Sequence, residues 1–324
     1  MIIVTSHKSI VLKNAKDTQG ARYPTVTGYL HPNYAESLSE FGQPIALPKS
    51  EGWLLQRPIP HSEDSDAMGC YPMFSCVAWQ HVAEDIEKLR ERLVTVALVA
   101  DPFGNHDEKL LRQTFERVVA FKSHFIVGLG SDPEEIASKH HRYYARKALT
   151  KVSVEVVSNL DSVFPGWCGL YNNLIQRHNL SGIKAFSPMA FERQFRLDGL
   201  VVLQAVYENR LVGAHLWMVQ GEVANSHLAA FSNEGYELMC AYALYWEAIR
   251  HFTGKVKWLN IGAGAGFQTD AQDGLTRFKR GWSTGSRTAW FCASVLQPEK
   301  YAILCAQPGV SGSSYFPAYR RGTF

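Results

Sequence analysis

The stretch NIGAGAGFQTDAQDGLTRFKRGWSTG, residues 260–285, begins with three glycines spaced by two and ends in a compact basic cluster. KWLNIG, which runs into it, reads as a strand, and DGLTRFKRGW reads as a short helix. Glycines at a strand-to-helix turn first suggest a phosphate loop. A Rossmann fingerprint needs GxGxxG there, with an acidic residue about 20 positions on. Here the glycines read GxGxG, Phe267 stands where the last one should fall, and the acidic residue is missing. A P-loop is excluded because no GK[ST] follows. What remains is permissive backbone followed by a helix with Leu275, Phe278 and Trp282 at three- to four-residue spacing, expected to seat it on the core. Arg277 and Arg280 share one side of that helix, and Lys279 points along the flank of the apolar face. Such cations can simply favour the C-terminal carbonyls of a helix. Beside open backbone they also make an anion site.

Working outward, the chain alternates strands and helices. AEDIEKLRERL (83–93) has helical spacing, VTVALVADP (94–102) is a buried-strand run, and DEKLLRQTFERVVAFK (107–122) sets Leu111, Phe115, Val118 and Val119 on one helical face. FIVGLG (125–130) is the next strand. A helix follows from Pro133 to about Thr150, with Asp132 as N-cap and Glu135 completing a capping-box-like start. VSVEVV (152–157) opens the second half, so the spacing predicts two units, 1–151 and 152–324. In the second unit, helices over 160–178 and 188–197 precede a meander of strands at 200–208, 211–219 and 223–231, then a long helix over 234–252. This is an α/β architecture of mixed sheets flanked by helices, and the two halves read as distant copies of one plan.

Bulk properties exclude several classes. A chain of 324 residues with 46% hydrophobic and 12% aromatic residues is globular and long enough for two domains. A formal charge of +3 is too small to imply nucleic-acid binding by itself. The start, MIIVTSHKSIVLK, lacks the regions of a signal peptide, and the apolar run at 94–100 is far short of the ~20 residues a bilayer requires. Six cysteines are scattered with no CxxC pair, as expected of reduced thiols in a cytoplasmic protein. Cys70, Cys76 and His81 form the one conceivable metal set, against the usual spacings, and no metal is expected. GVSGS near the C-terminus lacks the strand and helix of a nucleophile elbow.

Several phrases together resemble one group of enzymes. GAHLWMV, HLAAFSNEGYELMCAYALYWEAI, LNIGAGAG and DGLTRFKRGW, in that order, resemble the C-terminal half of the Fem-type peptidyl transferases and related GNAT acyltransferase domains. RYYARKALTKVSVEVV (142–157) is similar to the family's R-x-x-x-RKA segment joining its halves. The resemblance implies two tandem GNAT-like domains around a cleft, moving an acyl or aminoacyl group onto an amine, or less often a hydroxyl. It implies no tightly bound cofactor: the co-substrate is an acyl donor, whether aminoacyl-tRNA, an acyl carrier or acyl-CoA. The acceptor is an amine-bearing small molecule or peptide, and no membrane insertion is implied. It places Lys279, the lysine of the FK pair, near the reacting ester, where an ammonium stabilises the oxyanion. Gly262, Gly264 and Gly266 would then turn the chain off its strand and hold Lys279 at the cleft, with Arg277 beside it. The pyrophosphate motif [QR]-x-x-G-x-[GA] keeps only Gly235 in SNEGYE (232–237), which disfavours a coenzyme A donor. The family's inserted helical arm is also absent. An acyl-CoA N-acyltransferase and a non-catalytic binding protein remain the alternatives.

Other candidates follow from residue type. No acidic residue lies between Ile136 and Val154, while Lys139, Arg142, Arg146, Lys147 and Lys151 do, with three of them on one helical face. Such a helix is either an ordinary basic surface or a dock for phosphates of donor or acceptor. His227 and His215 sit on neighbouring strands. If paired across the sheet they would face one cleft, where His227 could accept the amine proton and His215 contact substrate. Tyr236, at a helix start, is the tyrosine best placed for a ligand contact.

Overall fold

Three consecutive strand-forming runs, the middle one buried continuously from Val212 to Met218, build an antiparallel meander, and the rest of the chain extends it on both sides. In the computed structural model, residues 26–264, 273–306 and 315–322 are described. The N-terminal segment 1–25, Gly266, Phe267, Asp270 and the GVSGS stretch lie outside the described residues.

The strands are β1 (Gln43–Leu47), β2 (Gly52–Pro58), β3 (Ser65–Gly69), β4 (Thr95–Val99), β5 (Arg117–Gly128), β6 (Ser153–Val156), β7 (Leu200–Tyr207), β8 (Arg210–Gln220), β9 (Val223–Phe231), β10 (Trp258–Asn260) and β11 (Gly285–Val295). They form one sheet in the order β1-β2-β3-β4-β11-β5-β10-β9-β8-β7-β6. The helices are α1 (Pro32–Ser37), α2 (Val82–Glu87), α3 (Glu108–Thr114), α4 (Pro133–Ile136), α5 (Lys139–Leu149), α6 (Leu160–His178), α7 (Pro188–Gln194), α8 (Asn233–Glu237), α9 (Cys240–Phe252), α10 (Gly274–Arg280) and α11 (Pro298–Cys305).

One plan occurs twice in this sheet. Antiparallel β1-β2-β3 lead to a parallel pair, β3/β4, and antiparallel β7-β8-β9 lead to another, β9/β10. The strand completing each plan comes from the other half: β11 pairs antiparallel with β4, and β5 with β10. β5 and β11 pair with each other in the middle. The fold is therefore two tandem mixed α/β units whose final strands are exchanged. Lys151 lies in the link between α5 and β6. A division there into separately folding units is a proposal, because each half borrows a strand.

Helices cover both faces. α1, α6 and α7 pack on one face of the second half through Trp167, Tyr171 and Phe191, and α5, α9 and α10 pack on the other through Trp217, Trp246 and Trp282. A third cluster around Trp79, Phe74 and Leu98 fills the first half. The parallel pairs differ. Phe74 bridges to Ala100 beyond β4 and closes the first fork. The second carries the site described below.

The structure corrects four helices. The helix expected over 83–93 ends at Glu87. The run 107–122 is helical only to Thr114. Phe115 is already extended, and Val118 and Val119 lie on opposite faces of β5, one buried and the other 40% exposed. Leu111, Phe115, Val118 and Val119 fit a helical period as well as a strand, and pairing with β11 decides between them. The helix expected over 133–150 is two helices, because Ser138 caps a new start by accepting from the His141 N–H. The helix expected over 234–252 breaks at Met239, whose φ is +58°. The meander and α6 follow the expected bounds closely. The thiols are free, His81 turns to Glu84 at 3.0 Å, and no metal-binding group of three or more side chains occurs among the described residues.

Candidate active site

β9 and β10 pair only over Val223–Asn225 and Trp258–Asn260. β9 then continues to Phe231, while the other chain turns away through Gly262 at φ +72°. The two backbones part like a fork, and Asn260 sits in its crotch. Its Oδ1 accepts from the Gly262 N–H at 3.1 Å and from His124 Nδ1 at 3.0 Å, and its Nδ2 donates to Asn225 Oδ1 at 3.0 Å. Each of the atoms it can offer is thus used in holding the fork open.

Helix α10 delivers a lysine to this fork. Asp273 caps the helix by accepting from the Leu275 and Thr276 N–H groups, and Lys279 Nζ donates to the Ala263 carbonyl at 2.6 Å. The glycines make this approach possible. A Cβ on Gly264 would lie 2.0 Å from Thr276 Oγ1, and one on Gly262 would lie 3.2 Å from Lys279 Nζ. Burial, then repulsion from Lys122, lowers the Lys279 pKa to about 8, with Asp273 opposing. The lysine is therefore still mostly protonated at neutral pH, and its charge is only partly solvated.

Two imidazoles feel that charge. His215 is fully buried with Nε2 2.8 Å from Ser226 Oγ, between the rings of Trp217 and Tyr245. Burial, and then Lys279, lowers its pKa to about 3. Its Nδ1 is buried with no partner among the described residues, as are the indole nitrogens of Trp217 and Trp282. His124 is lowered to about 4 by burial, with Lys279 and Lys122 adding to the effect. Both rings are neutral at physiological pH.

The other sequence candidates are dispersed. His215 pairs with Ala229, not with His227. The β8–β9 register shifts so that Trp217 faces Ser226 and Leu216 faces Leu228, which leaves His227 as the extra residue of a bulge. It turns to the opposite face, between Tyr29 OH at 3.0 Å and Gln194 Oε1 at 3.1 Å. The expectation that the two histidines share one cleft is thereby corrected, since the alternation of a strand sequence cannot reveal a bulge. Arg142 and Arg146 both pair with Glu134, Arg146 at 2.7 Å, so a carboxylate from outside the acid-free stretch partly neutralises it. Lys147 is exposed on α5, and Arg277 is exposed on α10. Tyr236 packs under the Arg177 guanidinium, 4.2 Å from its ring, and against Phe231. Trp282 is fully buried and Phe278 partly so, as expected, but Leu275 is 41% exposed and does not anchor the helix.

Lys122, His124 and His141 escaped the sequence reading. Lys122 and His124 alternate on one face of β5, a period-two signal hidden by the expectation of a helix to residue 122. His141 lay unassigned within the basic stretch. Its Nε2 donates to the Phe278 carbonyl at 2.9 Å.

The two-unit mixed sheet is Fem-like in its fold, as three solved structures show. FemX, a solved structure, is similar over 84% of this chain and 93% of its own, at 13% identity and a TM-score of 0.59. The C-terminal domain assigned to a lysylphosphatidylglycerol synthetase from Agrobacterium fabrum is similar over 86% and 94%, at 14% identity and 0.57. L-PGS from Bacillus licheniformis is similar over 83% and 93%, at 11% identity and 0.53. No family model and no curated protein sequence matches the chain. Among the described residues, no helix is long and apolar enough to cross a membrane.

Proposed function

We propose that the chain is an acyltransferase that moves an aminoacyl or acyl group from an activated ester onto an amine, with Lys279 as the catalytic cation. The observation that carries this reading is the Lys279 ammonium, partly buried and held 2.6 Å from the Ala263 carbonyl at the mouth of the β9/β10 fork. The amine lone pair attacks the ester carbon, and the carbonyl electrons move to oxygen. The ammonium holds the oxyanion. Collapse expels the donor's alcohol oxygen, which leaves with the proton lost by the amine. A positioned charge in a partly desolvated site suits this step because it needs no reorganisation as the oxyanion forms. His124 and His215 are held neutral by burial and serve as scaffold rather than as bases.

The donor we favour is an aminoacyl-tRNA or a carrier-bound acyl group, used as co-substrate with no tightly bound cofactor. Gly235, the residue left of the pyrophosphate motif, has a packing reason to be glycine: a Cβ there would fall 2.0 Å from the Val212 carbonyl. Two neighbours in fold are named for making lysylphosphatidylglycerol or abbreviated L-PGS, which supports an aminoacyl donor and leaves a hydroxyl acceptor as the second option. The acceptor we favour is a small molecule or peptide bearing an amine, with Lys122, whose charge acts on Lys279, near the site to meet its negative groups.

Single-turnover transfer from charged tRNA and from coenzyme A esters, run on wild-type and Lys279→Met protein, tests the reading. We expect transfer from an aminoacyl donor and a loss of roughly a hundredfold or more in the variant, the scale of one oxyanion donor. Equal turnover by a folded Lys279→Met protein would return the lysine to a structural role. Preferred use of coenzyme A esters would replace the donor.

A further inference from the structure

Helix α10 is seven residues long, too short to hold its shape or its rotation by its own hydrogen bonds. Its N-terminus is fixed by Asp273. Its C-terminal carbonyls need partners from elsewhere. The turn after the helix serves Arg277, Lys279 and Arg280 through the N–H groups of Gly281, Trp282 and Ser283. The start of α5 serves the Phe278 and Gly281 carbonyls: the Ser138 N–H donates to Gly281 at 2.9 Å, and His141 Nε2 donates to Phe278 at 2.9 Å. These two bonds bracket Lys279 in sequence.

The tautomer of His141 follows from its partners. A carbonyl only accepts, so Nε2 carries the proton and Nδ1 accepts from the Ser138 hydroxyl at 2.8 Å. That hydroxyl in turn accepts from the His141 N–H. The ring is boxed in by Tyr242, Phe278 and Trp282, at centroid distances of 5.2, 5.6 and 4.9 Å. It also lies directly on Gly281, where a Cβ would meet its Cε1 at 1.9 Å. Every atom of the imidazole that can bond does so, and every open side is packed.

We propose that His141 is the positioning residue for Lys279: by clamping the Phe278 carbonyl and resting on Gly281 it sets the rotation of α10, and so the point in the fork that the ammonium reaches. Without the clamp, α10 can rotate or fray at its C-terminal end, and the four-carbon stem of Lys279 no longer returns its charge to the Ala263 carbonyl. This rests on the catalytic reading of Lys279 for its consequence but not for its geometry. It also gives a reason for the glycine that follows FKR, which no other side chain could replace beneath the ring.

The test reads the position of the ammonium without any substrate. In lysine-labelled protein, the Lys279 resonance is identified by its loss in Lys279→Met and titrated in wild type, His141→Phe and His141→Gln. Wild type and the Gln variant, which keeps a donor at the same reach, should titrate Lys279 near 8. The Phe variant keeps the ring but loses the donor, and its Lys279 should move toward the ordinary value of 10.5 as the ammonium escapes to water. A Phe variant that titrates like wild type overturns the proposal. Should it fail to fold, Ser138→Ala removes the hydroxyl that orients the ring, and Lys279 should then shift part of the way; no shift in that folded variant overturns it equally. Where transfer is measurable, His141→Phe should lower kcat by about tenfold with KM unchanged, and His141→Gln should restore most of it. Failure of Lys279→Met to affect transfer would remove the catalytic reading and leave the titration result standing.

Discussion

Gly264 and Thr276 approach so closely that a methyl group on the glycine would stand 2.0 Å from the Thr276 hydroxyl. Thr276 is buried and tied to Asp273 Oδ2 at 2.9 Å, so it cannot simply swing aside. We expect Gly264→Ala to push the loop off α10, lowering turnover by tenfold or more and the melting temperature by a few degrees. In Gly264→Ala/Thr276→Ala the nearest atom is gone, leaving the Cβ of residue 276 at 3.3 Å, and much of the activity should return. Transfer assays beside melting curves decide it; a double variant no better than the single would show that the contact is not the cause.

Lys279 gives a pH dependence of definite sign. Its folded pKa is lowered to about 8 from 10.5, so the folded state prefers the neutral amine. Between these values the unfolded chain binds more protons than the folded one, and stability rises with pH. Below about 8 the buried charge is a standing cost, so Lys279→Met should melt no lower than wild type at pH 7, with the difference fading toward pH 10.5. Turnover should do the reverse, falling as pH rises through about 8 while the ammonium is lost. Melting and rate profiles over pH 6.5 to 10.5 measure both.

Three histidines, two buried and one half-buried, make the fold acid-sensitive. His124 is lowered to about 4, and His215 and His227 to about 3, each chiefly by burial. Groups with lowered folded values contribute stability above their unfolded value of 6.5, and lose it as pH falls toward the folded values. Each steepens the loss by about 1.4 kcal/mol per pH unit. His227→Gln should flatten the profile by one such step and leave transfer within about twofold, since that ring faces away from Lys279. A tenfold loss of transfer would bring His227 back as a catalytic group.

The basic face of α5 tests donor docking. Arg142 and Arg146 are engaged by Glu134, leaving Lys139 and Lys147 as the more available charges. We expect Lys139→Glu/Lys147→Glu to weaken aminoacyl-tRNA binding, with the effect shrinking as salt rises. Glu134→Gln should strengthen binding slightly and cost about 1 kcal/mol of stability, because the Arg146 pair is solvent-exposed and the Arg142 pair only half-buried. Filter binding at two salt concentrations is sufficient. Unchanged affinity at low salt makes this helix an ordinary charged surface.

Far from the fork, Asp66 is fully buried between Arg57 at 3.1 Å and Arg320 at 2.8 Å. Arg320 also donates to the Pro58 carbonyl, so the pair fastens the C-terminal segment to β2. Asp66→Asn leaves two buried guanidinium groups without their carboxylate and should cost about 3–5 kcal/mol. Transfer by the surviving folded fraction should be normal. Denaturant melts provide the number.

Local patterns settled much of this protein. The meander of β7, β8 and β9, helix α6 from Leu160 to His178, and the Asp132 cap all follow from periodicity and capping residues acting within a few positions of one another. The strand end at Gly262 and the FKRGW helix pointed to a sharp turn beside a lysine, and Gly262 at φ +72° with Lys279 on the Ala263 carbonyl matches that arrangement. Contacts made across the sheet were beyond reach. Val118 and Val119 suit a helix until β11 arrives to pair with them, and β11 comes from the far end of the chain. The bulge that turns His227 away from His215 is set by strand register, which depends on how two surfaces pack rather than on either sequence. Glu134 reached Arg146 from outside the stretch that seemed free of acid. His141 gained its meaning only when α5 met the end of α10. Propensity and periodicity act between near neighbours in sequence, whereas strand exchange, register and the capping of one helix by another act between residues brought together only by the fold, and these decide where Lys279 points.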